Sequence, residues 1–432
     1  VARIKLAYIG GGSTRAPGTM ASFIEQGANF TGSEVVLHDL DGDRLEIVQR
    51  IAERMARARG LDLRISATTD RAAALDGCDA VLTSFRPGGF EARYLDESIP
   101  LKHGIIGQET QGPGGFFMAL RSIHVMRGIV EQVEAICPNA FLFNYTNPVN
   151  IVSEAITHHS DVRVVSLCEG PIIFPRGIAR AAGLDPDRVD TVMIGLNHGS
   201  WSVRHLYDGE DMIPLVQSAY REMRDDPDAR RERVRMLALT SIMSAIPADY
   251  FKYYYYTDEV LAELQAKGTT RAQDIMASVP DYWAHYRAQA EVDEPQLDPD
   301  HSRGGIHELE LAFDVMDAMF NDRGEIWPVN VTNGGAIPQL PSDRVVEVRG
   351  YVDRAGITPL TDGDLPGHLA GLVEELAEYQ ALAAEVAWHG TRDDAVRALA
   401  SNPLVRNPEK ARALYGEMSR ALSDYLPGRL VA

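Results

Sequence analysis

Apolar residues in the first third of the chain recur in short runs, separated by stretches with a helical period. RIKLAYIG, SEVVLHD, DLRISATTD and CDAVLTSF read as strands, and GDRLEIVQRIAERMARARG reads as a helix between the second and third. A further helix over Phe116–Ala135 leads into AFLFNY, and RVVSL follows one more helical stretch. This alternation predicts a parallel sheet covered on both faces, an α/β Rossmann-like doubly wound domain over residues 1–170. Beyond residue 170 the period changes. HGSWSVRHLYDGEDMIP alternates as an antiparallel ribbon and long helical stretches follow, predicting a second, α+β domain over residues 171–432. VDEPQLDPDHSRGG, rich in Pro and Asp, predicts a crossing loop, and LAGLVEELAEYQALAAEVAWHG predicts an amphipathic helix for core or interface.

Composition narrows the class. A chain of 432 residues, 45% hydrophobic and 24% charged, buries a sizeable core and has no apolar run long enough for a membrane span. A formal charge of −20 repels nucleic-acid phosphates and anionic membrane surfaces, so neither is an expected partner. Cys78, Cys137 and Cys168 are too few and odd in number for a disulfide framework, which fits a reducing compartment. The chain passes directly into the strand Ile4–Ile9 without a secretory pattern, and the expected location is the cytoplasm.

Candidate chemistry lies at the strand ends. Gly10, Gly11, Gly12, Ser13 and Thr14 follow the first strand and precede a helix beginning near Pro17, a place where backbone N–H groups and a helix dipole receive a pyrophosphate. Arg15 occupies the position of the third glycine of the dinucleotide fingerprint, and a glycine turn alone also serves as a plain tight turn. Asp39 ends the second strand, where a carboxylate accepts from ribose hydroxyls and repels a 2′-phosphate, favouring NAD over NADP; its other reading is a solvated turn residue. Polar clusters mark further ends: Arg86 to Glu97, GQETQGPGG, NYTNPVN and SLCEGP, joined later by GLNHGSW, IPADYFKYYYYT and SRGG.

In this chain order the segments resemble glycoside hydrolase family four, from Ile4 to about Ile337, with GQETQGPGG plus NYTNP the most specific pair. ALRSI and the late RGG bring the 6-phospho-glucosidase branch nearest. The resemblance implies a lactate/malate dehydrogenase-like fold and a glycosidase dependent on NAD and a divalent metal such as Mn2+. It implies hydride removal at sugar C3, proton loss at C2, expulsion of the aglycone from C1, addition of water and return of the hydride. Cys168 and His198 match the metal ligands, Tyr250 the C2 base and Glu169 a proton donor; Arg93, Asn147, Asn144 and Arg303 match substrate-binding positions. The implied partner is a small-molecule glycoside, phosphorylated at C6, and the implied assembly a homodimer or homotetramer.

Each assignment has a plainer reading. A cysteine at a strand end is ordinarily a small core residue, a histidine near a tryptophan is ordinarily packed, and most tyrosines in a run such as Tyr253–Tyr256 simply bury their rings. Ser166 where glycine is usual, NGG in place of NNG, and Glu308 and Glu310 after SRGG depart from the family pattern and keep a neutral or differently acidic glycoside as an alternative. TNPVNI and NHGS also echo hydroxy-acid dehydrogenases, which need no Cys–His pair, and a non-catalytic NAD- or sugar-binding protein is the third reading.

Overall fold

The computed structural model describes residues 1–303 and 311–432. The short apolar runs become β1 (Lys5–Ile9), β2 (Ser33–His38), β3 (Leu63–Thr68), β4 (Ala80–Thr83), β5 (Phe141–Asn144) and β6 (Arg163–Ser166). All pair in parallel. Their order is β3-β2-β1-β4-β5-β6, in which the chain reverses direction between β1 and β4. That reversal opens a crevice at the carboxyl ends of the strands.

The helices of this half are α1 (Ala16–Glu25), α2 (Gly42–Ala58), α3 (Arg71–Leu75), α4 (Gly89–Lys102), α5 (Gly112–Ile136), α6 (Val149–His159) and α7 (Gly170–Ala181). The α2 helix forms because Asp41 caps the Arg44 N–H at 3.1 Å and Leu45, Val48, Ile51, Ala52 and Met55 fall on one buried face. Burying an aliphatic side chain of that size contributes roughly 1.5–3 kcal/mol, so a charge at Val48 would break the helix's attachment. The helix expected from Phe116 begins four residues earlier, at Gly112. Gly114 and Gly115 let the preceding loop lie against its first turn: a Cβ at Gly114 would stand 2.1 Å from the Gln108 carbonyl oxygen.

The α4 helix shows no helical pattern of apolar residues, because its buried face carries Arg93, Asp96 and Glu97. Asp96 and Arg121 of α5 are both fully buried and make two hydrogen bonds, of 2.9 and 2.6 Å. This pair fixes α4 to α5 beneath the crevice. Burial pushes the Asp96 carboxyl up, against the pull of Arg121.

After α7 the ribbon appears as β8 (Gly199–Tyr207) and β9 (Glu210–Asp211), with β7 (Val189–Leu196) pairing along β8. The part beyond Phe320 corrects the helical expectation. Strands β10 (Glu325–Thr332), β11 (Val345–Asp353) and β12 (Gly356–Pro359) lie there, β10 and β11 antiparallel. Pro328 within β10 hides the strand in the sequence. Asn330 pairs with Ser166 and Glu347 with Gly195, so β10 and β11 join β6 to β7 in one 12-stranded sheet.

The remaining helices are α8 (Ile213–Met223), α9 (Arg231–Met243), α10 (Lys252–Tyr255), α11 (Thr257–Ala266), α12 (Arg271–Gln289), α13 (Leu311–Phe320), α14 (Gly367–Trp388), α15 (Arg392–Ser401) and α16 (Pro408–Ala421). The expected amphipathic helix is α14, whose Leu369, Val373, Ala377 and Ala384 are core, packed over α5 and α6. Phe116 and Phe117 share a core with Ala383, Leu414 and Met418, and Phe23 meets Phe313 at 5.1 Å. Segments on either side of residue 170 therefore contribute to the same two large cores. The expected loop carries one turn, Pro299–His301, while Gly304, Gly305, Glu308 and Glu310 lie outside the described residues. Among the described residues no helix is long and apolar enough to cross a membrane.

Candidate active site

The turn after β1 is built for close approach. Gly10 and Gly11 donate to the His38 carbonyl at 2.9 Å each, and Gly12 donates to Asp39 Oδ2 at 3.0 Å. Gly10 has φ of 99°, and a Cβ there would stand 2.1 Å from the Ser84 carbonyl oxygen. No side chain caps the start of α1, and Ser13 Oγ is buried without a hydrogen-bond partner among the described residues. A helix start without a side-chain cap, a hydroxyl without a partner among the described residues and a carboxylate at the end of β2 fit a dinucleotide.

The metal-ligand candidates come from two distant elements. Cys168 follows β6 and stands just before α7, where the Gly170 N–H points at its Sγ from 3.5 Å. His198 occupies the turn between β7 and β8 with φ of 62°, a left-handed conformation uncommon outside glycine. Sγ and His198 Nε2 lie 3.7 Å apart. One ion with bonds of about 2.3 Å to sulfur and about 2.0–2.1 Å to nitrogen spans that gap, so the donor pair fits a divalent transition metal. Thr110 Oγ1 hydrogen bonds His198 Nδ1 at 3.1 Å, which orients the ring and leaves Nε2 as the ligand atom.

The electrostatics point the same way. Burial pulls the His198 imidazole down to about 4, against Glu109, so the ring is neutral and ligand-ready at physiological pH. Burial, then Glu169 and Glu347, push the Cys168 thiol well up. A thiol ringed by acids ionises only beside a compensating cation.

Tyr250 stacks face to face on His198, with centroids 3.7 Å apart and planes 11° from parallel. It is delivered by the segment Ile246–Ala248, which runs along β8: Ala248 N donates to the Ser200 carbonyl at 2.8 Å. Burial raises its phenol well above the usual range, and Cys168 and Glu109 add to the rise. The neighbouring tyrosines separate by contact. Tyr254 donates to Gln111 at 2.7 Å, Tyr255 packs on Trp201 and Phe251, and Tyr256 donates to the Arg235 carbonyl at 3.1 Å. Tyr253 lies 6.3 Å from Tyr250, its phenol raised to about 12 by burial despite Lys252.

Arg93 is buried between two acids, with Glu97 at 2.7 Å and Glu109 at 3.1 Å, and Arg86 reaches Glu109 at 2.6 Å. Burial alone would raise the Glu109 carboxyl, but Arg86 and Arg93 outweigh it and hold it below its usual range. Arg303 lies over the Phe90 ring at 5.4 Å and its Nη1 is 3.5 Å from Thr14 Oγ1, at the border of the nucleotide turn. Asn147 Oδ1 is buried without a partner among the described residues, ready for a ligand hydroxyl. Glu169 stands at the N-terminal boundary of α7, beside Cys168.

Asn144 is placed differently from the other candidates. Its amide accepts from Thr83 Oγ1 at 2.8 Å and Thr146 N at 2.9 Å, and donates to Ser166 Oγ at 2.9 Å and the Thr146 carbonyl at 3.2 Å. With both ends consumed internally, it braces the site from below. Two residues carry roles that motif reading left unassigned: Glu109, and Glu347 of β11. Glu347 accepts from Asn197 Nδ2 at 3.0 Å and Ser200 Oγ at 2.9 Å, holding the turn that presents His198. Burial raises its carboxyl to about 7.

Fold and site together define an α/β enzyme of the glycoside hydrolase class. Residues 5–184 match the model of the Family 4 glycosyl hydrolases and residues 193–405 match that of their C-terminal domain. The chain belongs to this family. It is 37% identical over 437 residues to the Bacillus subtilis (strain 168) protein named "Probable 6-phospho-beta-glucosidase", covering 98% of this chain and 97% of that one. The 6-phospho-alpha-glucosidase from gut microorganisms, solved with NAD and Mn2+, superposes with a TM-score of 0.85 at 26% identity, covering 98% of this chain and 99% of that one. The 6-phospho-beta glucosidase of Thermotoga maritima, solved with manganese, NAD+ and glucose-6-phosphate, gives 0.83 at 27%, with coverages of 98% and 99%. A lactate dehydrogenase from Cryptosporidium parvum, at 16% identity and a TM-score of 0.55, shares the fold alone.

Proposed function

We propose that this enzyme hydrolyses 6-phospho-β-glucosides with NAD+ and a divalent transition metal, by oxidation, elimination, hydration and re-reduction of the sugar. The observation that carries the reading is the convergence of three side chains from separate segments, with Cys168 Sγ 3.7 Å from His198 Nε2 and the Tyr250 ring stacked on His198. When bound, NAD+ supplies a hydride acceptor that later returns the hydride, and the divalent ion supplies Lewis acidity to the sugar hydroxyls.

The protein's own residues have the remaining work. Gly10–Thr14 and the start of α1 seat the pyrophosphate, while Asp39 takes the ribose hydroxyls. Cys168 and His198 hold the metal. Tyr250 removes the proton at C2; burial, Cys168 and Glu109 raise its phenol, and a cation held by Cys168 and His198 would favour its phenolate. Glu169 protonates the departing glycosidic oxygen. Asn147 and Arg93 orient the sugar, and Arg303 takes the 6-phosphate, for which a guanidinium is the fitting donor. The β-linkage follows the 37% identical relative. A reducing compartment such as the cytoplasm keeps Cys168 available as a ligand.

The test is turnover of p-nitrophenyl α- and β-glucosides, with and without a 6-phosphate, under reducing conditions with NAD+ and Mn2+ each added or omitted. The expected result is release of nitrophenol from the 6-phospho-β-glucoside only with both additions and no net NADH. Equal turnover of the unphosphorylated glucoside removes the phosphate assignment. Turnover without NAD+ removes the redox reading altogether.

A further inference from the structure

A second group of metal-ligating side chains lies at the far ends of α6 and α14. His159 is the last residue of α6, and Glu385 and His389 stand at and just past the last turn of α14. His159 Nε2 is 2.8 Å from Glu385 Oε1, and His389 Nε2 is 3.3 Å from Glu385 Oε2. The three ligand atoms lie within 4.8 Å of one another. The His159 ring is stacked on Trp388, centroids 5.0 Å apart and planes 12° from parallel, so its orientation is set by packing. The His389 ring meets it edge-on at 5.2 Å.

We propose that His159, Glu385 and His389 form a second divalent transition-metal site, separate from Cys168 and His198, that clips the end of α6 to the end of α14. Two imidazoles and one carboxylate make a borderline, thiolate-free donor set that suits Zn2+, Co2+ or Ni2+ over Mg2+ or Ca2+. Ligand atoms around a four-coordinate ion with bonds near 2.0–2.1 Å lie about 3.3 Å apart, a spacing that rotation of these side chains within their 4.8 Å spread can reach. A plain histidine–carboxylate cluster at these exposures, 18% for His159, 43% for Glu385 and 60% for His389, contributes little by itself. The clip bears on the candidate active site through α6, whose first residue, Val149, follows Asn147 and Pro148 directly.

Cobalt distinguishes the two centres. Protein stripped of metal by a chelator is titrated with Co2+, following visible absorption and counting the ions bound. Wild type is expected to bind one more equivalent than His389→Ala and Glu385→Gln. The difference spectrum shows d–d bands without the thiolate-to-cobalt charge-transfer absorption that Cys168 would give. His389 is exposed, so its loss leaves the fold intact, and any thiolate band persists unchanged in both variants. Equal stoichiometry in wild type and variants overturns the proposal, and so does a difference spectrum carrying the thiolate band.

Discussion

The glycine turn after β1 and the cluster of Cys168, His198 and Tyr250 lie at the same edge of one sheet but are built from different materials. The turn after β1 uses backbone: Gly10–Gly12 folded tightly onto the end of β2 by their own N–H bonds, a helix start without a side-chain cap and one carboxylate, Asp39. The cluster and its surroundings use buried side chains, with Arg86, Glu109, Arg93 and Glu97 in a ladder of alternating charge, and Cys168, His198 and Tyr250 held by stacking and hydrogen bonds. Holding a phosphate needs only fixed dipoles, whereas moving protons needs groups whose ionisation is displaced by burial and neighbours. The second kind of site costs stability, and the sheet behind it must offset that cost.

Substitutions tell the two regions apart. The largest effect is expected from Cys168→Ser, which should abolish metal-dependent turnover while NAD affinity, measured by fluorescence titration, stays nearly intact. A parallel loss of NAD affinity would mean that the two regions are not independent. Tyr250→Phe should lower kcat by about 10²–10⁴-fold, the usual range for a general base. A loss confined to KM would reassign Tyr250 to binding.

The next effects are on stability. Arg121→Ala strands Asp96 as a buried, unpaired carboxylate and should cost about 3–5 kcal/mol in denaturant unfolding. A cost below about 1 kcal/mol, the worth of a surface pair, would show that the ladder's floor is not a desolvated ion pair. Glu347→Gln sharpens the picture through pH. Because burial raises the Glu347 carboxyl to about 7 in the folded chain, the native state binds its proton more tightly than the unfolded state. Wild-type, metal-free protein should therefore lose up to ~3 kcal/mol from this group as pH rises from about 4.5 to 7. Glu347→Gln should remove that slope, and an identical pH profile would place the carboxyl elsewhere.

The same division governed what could be read from the sequence. Strands β1 to β6 and the glycine turn were legible because short apolar runs, fully buried in β4 and β5, alternate with helical stretches and a glycine turn follows the first strand. The α4 helix was not, since Arg93, Asp96 and Glu97 occupy its buried face and reverse the usual pattern. Cys168, His198 and Tyr250 stood in recognisable boxes, and their proximity is visible only in the fold. Glu347 was invisible because its partner Asn197 lies 150 residues away and no local motif marks it. Asn144 shows the opposite case: a residue in a functional box whose amide is spent on internal bonds.

In the proposed reaction the glycosidic bond breaks by elimination after proton loss at C2, with Tyr250 as the base. The most direct measurement is hydrolysis of a 6-phospho-β-glucoside in D2O with NAD+ and Mn2+, followed by NMR of the glucose 6-phosphate released. Deuterium is expected at C2 of the product from wild type, with no such exchange by Tyr250→Phe. Full turnover by wild type with C2 still carrying its original hydrogen would contradict elimination and point to direct displacement at C1.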